Sequence, residues 1–502
     1  MKHNLQLSIY LFFLVSLFAC ESNSDLKSDK IIIVGQIENY NSKEQMKFIE
    51  FIVPDLFALN TPFEPVDIDS LGYFHYETEI VSPAMCSGIY NKWFSFVVSP
   101  GDSLFLSIDG QACFDKTKRY VLNKNEIQIS GRMADDYEKV IEFSRWASDS
   151  IYNRKHSRLV NDQAKLKSAS EFKSFIEKWE EKAFKAIDRF GSENNANSLF
   201  YSILRSELKY KCFEDLLSYS YLQPFMNGDR INVLDLPESY YSFLEREDDF
   251  NTNYFTRGRL DYIHGLVSYL NHKNILERQN YLEMRKDWKN AEVKPSYIKN
   301  QISYIAQETV GITRDLCLQY FALDYFNSFP ELGDCIYKEV VNLIQDDYIL
   351  KGFKSHFNES KAELSLENIN VKTNEFTVLD SVVQSNKGKV IYVDFWAPWC
   401  GPCMGEMPYA KMLKKNLNSD EVVFVYLACK SKVKNWKAAI SRHKIEGVNL
   451  LLNSSDYKLL IKRYKIESIP HFLLFGKDGK LLKANASRPS SDQILTDIKE
   501  LL

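Results

Sequence analysis

Glycine and proline are scarce in this 502-residue chain, 19 and 14 residues respectively, which excludes collagen-like and low-complexity architectures. Charge of one sign is missing as well. The 63 basic residues face 67 acidic ones for a net charge of −4, and no Lys/Arg block supplies the footprint that nucleic-acid binding needs. Past the first twenty residues no apolar run approaches the ~18–20 residues of a membrane span. The nine cysteines are too thinly spread for a small scaffold stapled by disulfides. No Gly-x-Ser-x-Gly, His-Glu-x-x-His or Walker-type phosphate loop occurs, so the sequence carries none of those signatures of hydrolase, zinc-protease or nucleotide chemistry. What is present is ordinary for a globular protein: 45% hydrophobic and 26% charged residues. At a prior of roughly 150 residues per domain, the length suggests about three domains.

The chain opens with the basic Met1-Lys2-His3 and a nearly unbroken apolar run from Leu5 to Ala19, too short for the ~20 residues that cross a hydrocarbon core. Leu17-Phe18-Ala19-Cys20 closes the run and the polar Glu21-Ser22-Asn23-Ser24-Asp25 follows. Residues 1–19 read as a secretory signal peptide whose end resembles a bacterial lipoprotein signal. That resemblance implies lipid attachment at Cys20 and a tether over 20–30. A multiply acylated Cys20 would anchor the chain, each buried CH₂ contributing about 0.8 kcal/mol. An ordinary signal peptide with a chance cysteine is the plainer alternative.

Three regimes follow. Residues 31–130 read as an antiparallel β domain. Ile31-Ile32-Ile33-Val34 opens it, and Phe94–Val98, the turn Ser99-Pro100-Gly101-Asp102 and Leu104–Ile108 suggest a hairpin. Asp67–Gly72 has a calcium-loop look, but Leu71 and Thr78 stand where ligands belong, so a strand-linking turn is expected. Cys86 and Cys113 pair or remain two buried thiols; the sequence leaves both open.

Residues 131–360 carry helical periodicity and form an expected all-α domain. Phe172, Phe175, Ile176, Trp179, Ala183, Ile187 and Phe190 recur at that spacing and Gly191 is an expected stop. Met133, Tyr137, Val140, Ser144 and Ala147 do the same earlier. Cys212, Cys317 and Cys335 lie in apolar patterns as small hydrophobes. The polar stretch Glu359–Lys372 reads as a linker.

Strand and helix alternate over 365–502, the signature of an α/β layer fold. Phe376–Leu379, Val390–Phe395, Val422–Leu427 and Phe472–Phe475 are expected strands, the last in a hairpin with Lys480–Leu482. Met404–Leu417, Lys432–His443 and Asp492–Leu502 are expected helices.

The chemistry concentrates in Trp396-Ala397-Pro398-Trp399-Cys400-Gly401-Pro402-Cys403. A Cys-x-x-Cys pair that follows a buried strand and opens a helix places its first sulfur against unpaired N–H groups and the positive end of the dipole. Such surroundings lower cysteine pKa values from about 8.5 into the 3.5–7.5 range. Cys400 is then the attacking thiolate, and Cys403, one turn behind, is placed to resolve a mixed disulfide. A zinc site lacks a second Cys-x-x-Cys or a His pair, and haem attachment is excluded because Met404, not His, follows Cys403. Cys429, ending a strand, is either a buried structural thiol or a third redox thiol.

This segment resembles the thioredoxin superfamily, most closely its exported, membrane-tethered TlpA/ResA-like branch. A peroxiredoxin-like site, by comparison, carries a Thr where Ala397 stands. The resemblance implies a thioredoxin-like fold over 365–502, a buried acid at Asp394 and a proton-relaying carboxylate at Glu406. Ser468-Ile469-Pro470 matches the family's cis-proline loop. That implies a Pro470 facing the cysteines and an Ile469 backbone that pairs with a substrate chain. Trp399 and Trp396 are expected as an apolar collar, His471 follows the proline, and Pro408 is expected to kink the helix.

The expectation is therefore a membrane-anchored thiol–disulfide oxidoreductase of the cell envelope, facing the periplasm or outer surface. It would need no metal and no cofactor beyond the Cys400–Cys403 disulfide. Its partners would be disulfide-containing envelope proteins and a membrane electron donor of the DsbD/CcdA type. Gly401-Pro402 is the dipeptide of reducing thioredoxins, which favours a reductase. An oxidase or isomerase, or an assembly lipoprotein with a scaffold thioredoxin module, is the alternative.

Overall fold

The computed structural model describes residues 26–41, 45–57, 63–114, 121–123, 125–132, 137, 139–143, 154–194, 198–229, 232–249, 254–274, 293–369, 377–417, 420–431 and 433–502. The signal segment 1–19, Cys20, Met133, Ser144, Ala147 and Phe376 lie outside the described residues.

Alternating apolar positions build the first region. β1 (Asp29–Glu38), β2 (Phe48–Ile52), β3 (Glu64–Asp67), β4 (Tyr73–Ile80), β5 (Ala84–Tyr90), β6 (Lys92–Val98), β7 (Ser103–Asp109) and β8 (Ile127–Ser130) form two four-stranded sheets. Their orders are β4-β1-β7-β8 and β3-β2-β5-β6. Ile31, Ile33, Phe51, Phe94, Phe96 and Leu106 fill the space between them. Two expectations are corrected here. β6 and β7 are not a hairpin: β6 pairs with β5 and β7 with β1 and β8. The 99–102 turn is closed by the Asp102 carboxylate, which accepts from the Ser99 N–H at 2.7 Å, and it carries the chain across from one sheet to the other. The region is also not purely antiparallel, because β7 runs parallel to β1 with Ile33 opposite Leu104. Asp67–Gly72 is the expected turn, with Gly72 at φ +89°. Cys86 and Cys113 are both buried and unbonded, and burial pushes the Cys113 thiol up to about 12.

Helices follow: α1 (Gly110–Phe114), α2 (Arg154–Leu166), α3 (Ala169–Asn194), α4 (Ser198–Met226), α5 (Arg257–Lys273), α6 (Pro295–Glu308), α7 (Gly311–Ser328), α8 (Gly333–Val340) and α9 (Asp347–Ile369). α3 buries Phe172, Ile176, Ala183 and Ile187 on one stripe, as the spacing requires. It runs past the expected stop at Gly191. A Cβ there would sit 2.2 Å from the Tyr201 ring, so the glycine serves helix packing rather than termination. α9 continues to Ile369, through most of the expected linker; residues 370–372 are not described. Cys212 and Cys317 are buried and Cys335 half-buried. Among the described residues no helix is long and apolar enough to cross a membrane.

The C-terminal region is a five-stranded sheet between helices. α10 (Val378–Ser385), β9 (Val390–Trp396), α11 (Gly401–Lys415), β10 (Val422–Ala428), α12 (Val433–His443), β11 (Val448–Leu451), α13 (Ser454–Tyr464), β12 (His471–Phe475), β13 (Leu481–Lys483) and α14 (Asp492–Lys499) complete the chain. The strand order is β11-β10-β9-β12-β13, parallel from β9 to β11 and antiparallel at β12 and β13. Of the expected strand Phe376–Leu379, Thr377 is instead the N-cap of α10, and Val378 and Leu379 open that helix. The Thr377 hydroxyl accepts from the Asp380 N–H, and the Asp380 carboxylate accepts from the Thr377 N–H at 2.6 Å, a reciprocal cap that fixes a helix start. β11 and α13 were not anticipated. β9 is central and buried along its whole length. Ile391, Val393 and Phe395 face one apolar cluster with Leu379 and Leu460. Val390, Tyr392 and Trp396 face the other, which contains Cys400, Cys403 and Met407.

Candidate active site

β9 ends at Trp396, and the chain turns over Ala397–Trp399 into α11, whose N-cap is Cys400. The Cys403 N–H donates to Cys400 Sγ at 3.2 Å, so a first-turn amide without a helical partner is spent on the sulfur. A helix N-terminus of this kind favours negative charge on a sulfur placed there. Here the two sulfurs are joined in a disulfide. Cys400 is 5% exposed and Cys403 fully buried, so an incoming partner meets Cys400 first. Trp399 stands beside it, 49% exposed, with its Nε1–H donating to the Lys430 carbonyl at 3.0 Å. Trp396 is fully buried, in the apolar cluster that also holds Cys400 and Cys403.

The period-2 geometry of β9 puts Asp394 on the same face as Tyr392 and Trp396, under α11. Its cross-strand neighbours are Tyr426 and Phe472. It is 3% exposed, and its Oδ1 has no hydrogen-bond partner. Burial, then the nearby negative charge of Glu406, holds its pKa well above the ordinary 3.8. A carboxyl in such surroundings keeps its proton at pH values where exposed aspartates have lost theirs.

Glu406 is buried too, at 7% exposure, on the α11 stripe of Cys403, Met407 and Ala410. Its carboxylate accepts from the Ser490 N–H and the Ser490 hydroxyl, each at 3.0 Å, with Arg488 Nη1 3.8 Å away. A solvated first-turn glutamate is thereby excluded. α11 runs on through Pro408 to Lys415.

The Ile469–Pro470 peptide bond is cis, and Ile469 packs on the cluster that holds both cysteines. A ring nitrogen of His471, Nε2, lies 2.7 Å from the Ala484 carbonyl oxygen, which ties the loop to the adjoining strand region. Cys429 is buried with its thiol pushed up to about 12, by burial and then by Asp394; its Sγ–H donates to the Leu427 carbonyl. Among the described residues no group of three or more His, Cys, Asp or Glu is placed to hold a metal ion.

Sequence reasoning missed Ser490 and Arg488, which hold Glu406, and Tyr392, whose hydroxyl donates to the Ser487 carbonyl at 2.6 Å. Ser490 sits 84 residues from Glu406 and no spacing rule reaches that far. Tyr392 was legible only as a polar tip inside an apolar strand.

A dithiol at the N-terminus of the helix after a central strand, with a buried acid beneath and a cis-proline loop alongside, defines a thioredoxin-like domain. The comparisons agree. Residues 388–481 match the thioredoxin-like family. The chain is 23% identical over 143 residues to the thiol-disulfide oxidoreductase ResA of Bacillus thuringiensis subsp. konkukian, covering 28% of this chain and 81% of that protein. To ResA of Bacillus subtilis it is 30% identical over 98 residues, 19% of this chain and 52% of that one. Among solved structures, the thioredoxin domain of a thiol-disulfide oxidoreductase from Bacteroides vulgatus is 26% identical over 23% of this chain and 81% of that chain, with a TM-score of 0.22. The C-terminal domain is thus thioredoxin-like, and in sequence it is similar to ResA thiol-disulfide oxidoreductases.

Proposed function

We propose that this protein is a thiol–disulfide oxidoreductase that reduces disulfides in exported proteins. The observation that carries the reading is the buried Cys400–Cys403 pair, with Cys400 the outer sulfur at the α11 N-terminus. The reaction follows from that geometry. The Cys400 thiolate attacks one sulfur of a substrate disulfide, forms a mixed disulfide and releases the other substrate sulfur as thiolate. Cys403, once deprotonated, attacks the Cys400 sulfur; the second substrate thiolate leaves and the Cys400–Cys403 disulfide is formed. Two electrons pass to the substrate, and a donor must return them.

The proton on Cys403 has to move before the second step, in a site closed to water. Asp394 and Glu406 are the carboxyl groups buried around it, and we assign them that role. Asp394 is poised by its raised pKa, and Glu406 is fixed by Ser490. Trp399 supplies exposed apolar surface for a partner, and the Ile469-Pro470 loop supplies backbone for pairing with its chain. The Gly401-Pro402 dipeptide favours the reducing direction, since reducing thioredoxins sit near −270 mV against about −120 mV for the oxidant DsbA.

The apolar run Leu5–Ala19 ending at Cys20 supports a position outside the cytoplasm, held by lipid on Cys20, in this reading. Envelope proteins with disulfides are its substrates in this reading. A membrane protein of the DsbD/CcdA type is its electron source.

Insulin reduction by the full chain with a chemical reductant tests the chemistry. Wild type is expected to precipitate the insulin B chain well above the reductant alone, Glu406→Gln more slowly. Rates for wild type no greater than for Cys400→Ser would remove the oxidoreductase reading.

A further inference from the structure

A cavity of about 1170 Å³ lies away from the disulfide, in the N-terminal β domain where the two sheets part. It runs the whole length of β4, from Tyr73 to Ile80, with β3 on its other side. β4 is the last strand of its sheet. One side pairs with β1 in antiparallel register, and the other has no strand partner among the described residues. That side offers backbone donors and acceptors to whatever enters.

The lining is sorted by charge. Asp55, Glu64, Asp67, Asp69, Glu77 and Glu79 contribute carboxylates, and among the described residues no Lys or Arg lines the groove although the chain carries 63. Lys30 pairs with Glu77 from the neighbouring strand, and among the described residues His75 is the one basic side chain on the lining. Between the carboxylates the lining is aromatic. Phe74 lies in the cavity wall, Tyr76 stacks on Phe51 with ring centroids 5.1 Å apart, and Phe57 stacks on His356 at 5.0 Å. Asp55 is held by the Phe57 N–H at 2.9 Å and Asp69 by the Leu71 and Tyr73 N–H groups at 2.8 and 2.9 Å.

We propose that this groove binds an extended, cationic polypeptide segment, which adds to the free side of β4 as a further strand. Two features choose that occupant. The open strand edge, eight residues long, offers main-chain pairing to an extended chain and to little else. The carboxylates repel a second copy of the same edge and attract Lys or Arg at alternate positions of an incoming strand, while the aromatic lining takes its apolar residues. The site is independent of the disulfide chemistry and holds whether or not Cys400 and Cys403 exchange electrons.

Fluorescence anisotropy with labelled octapeptides tests it on the full chain. A peptide alternating Lys and Val is expected to bind saturably, and its affinity to fall about tenfold on raising salt from low to high ionic strength. Two controls are expected not to bind: a Glu–Val peptide, and a Lys peptide with Pro in place of Val, which keeps the charge but cannot complete a strand ladder. Glu77→Lys combined with Glu79→Lys, both exposed on β4, is expected to weaken the Lys–Val peptide about tenfold while circular dichroism and insulin reduction stay unchanged. Absent binding of the Lys–Val peptide, equal binding of either control, or an unchanged affinity in a folded double variant would overturn the proposal.

Discussion

Cys403→Ser is expected to accumulate mixed disulfides with partner proteins, and Cys400→Ser to accumulate none. The reasoning rests on the unequal burial of the two sulfurs. Cys400 is the more exposed of the two, and its sulfur accepts from the Cys403 N–H, a contact that favours its thiolate. Removing Cys403 leaves the first exchange intact and deletes the second, so the covalent adduct has no internal exit. Removing Cys400 deletes the first step and leaves a thiol at full burial. Non-reducing electrophoresis of cell extracts, followed by mass spectrometry of the adducts, reads the difference as all or none. Adducts of equal abundance in the two variants would show that the roles assigned to the sulfurs are wrong.

Asp394→Asn is expected to raise stability and cut turnover together. The Asp394 carboxyl is fully enclosed, its Oδ1 has no partner, and burial and Glu406 both raise its pKa. A carboxyl whose pKa is higher in the folded than in the unfolded protein binds more protons when folded, across the interval between the two values. Its contribution therefore favours folding most below the unfolded value near 3.8 and turns unfavourable as pH rises toward the folded value. Asparagine keeps the shape and removes the ionisation. The variant should melt at a higher temperature than wild type at pH 7, with the difference shrinking as pH falls toward 4. Exchange should slow roughly 10²-fold if Asp394 moves the Cys403 proton. Thermal melts across pH, run beside single-turnover exchange rates, separate the two effects. A variant less stable than wild type at pH 7 would contradict the burial argument, and an unchanged exchange rate would remove the proton role.

The core of the site was readable from sequence because its determinants are local. Val390–Phe395 is one apolar run, as a central strand buried on both faces must be. Cys400 and Cys403 follow it at a spacing that a helix start gives meaning, and Asp394 stood out as a charge with no reason to lie in that run. The misreadings have equally physical causes. Glu359–Ile369 is polar, and polarity alone reads as a linker. Its Glu, Lys, Ala and Leu residues are strong helix formers, and α9 uses them. Phe376-Thr377-Val378-Leu379 is largely apolar and reads as a strand, although Thr377 and Asp380, three apart, are a helix-start signature. β6 and β7 read as a hairpin because adjacent strands usually pair; only the long-range register of β1 with β7 sends them to different sheets. The Ser490 clamp on Glu406 and the groove along β4 are products of tertiary folding and had no local trace.

The central claim is a dithiol that gives electrons away, and the steady-state redox state of Cys400 and Cys403 in living cells tests it most directly. Acid quenching, differential alkylation and peptide mass spectrometry separate that pair from the other thiols. The account predicts a mostly reduced pair, kept so by a donor. A mostly oxidised pair would contradict it and make the protein a supplier of disulfides.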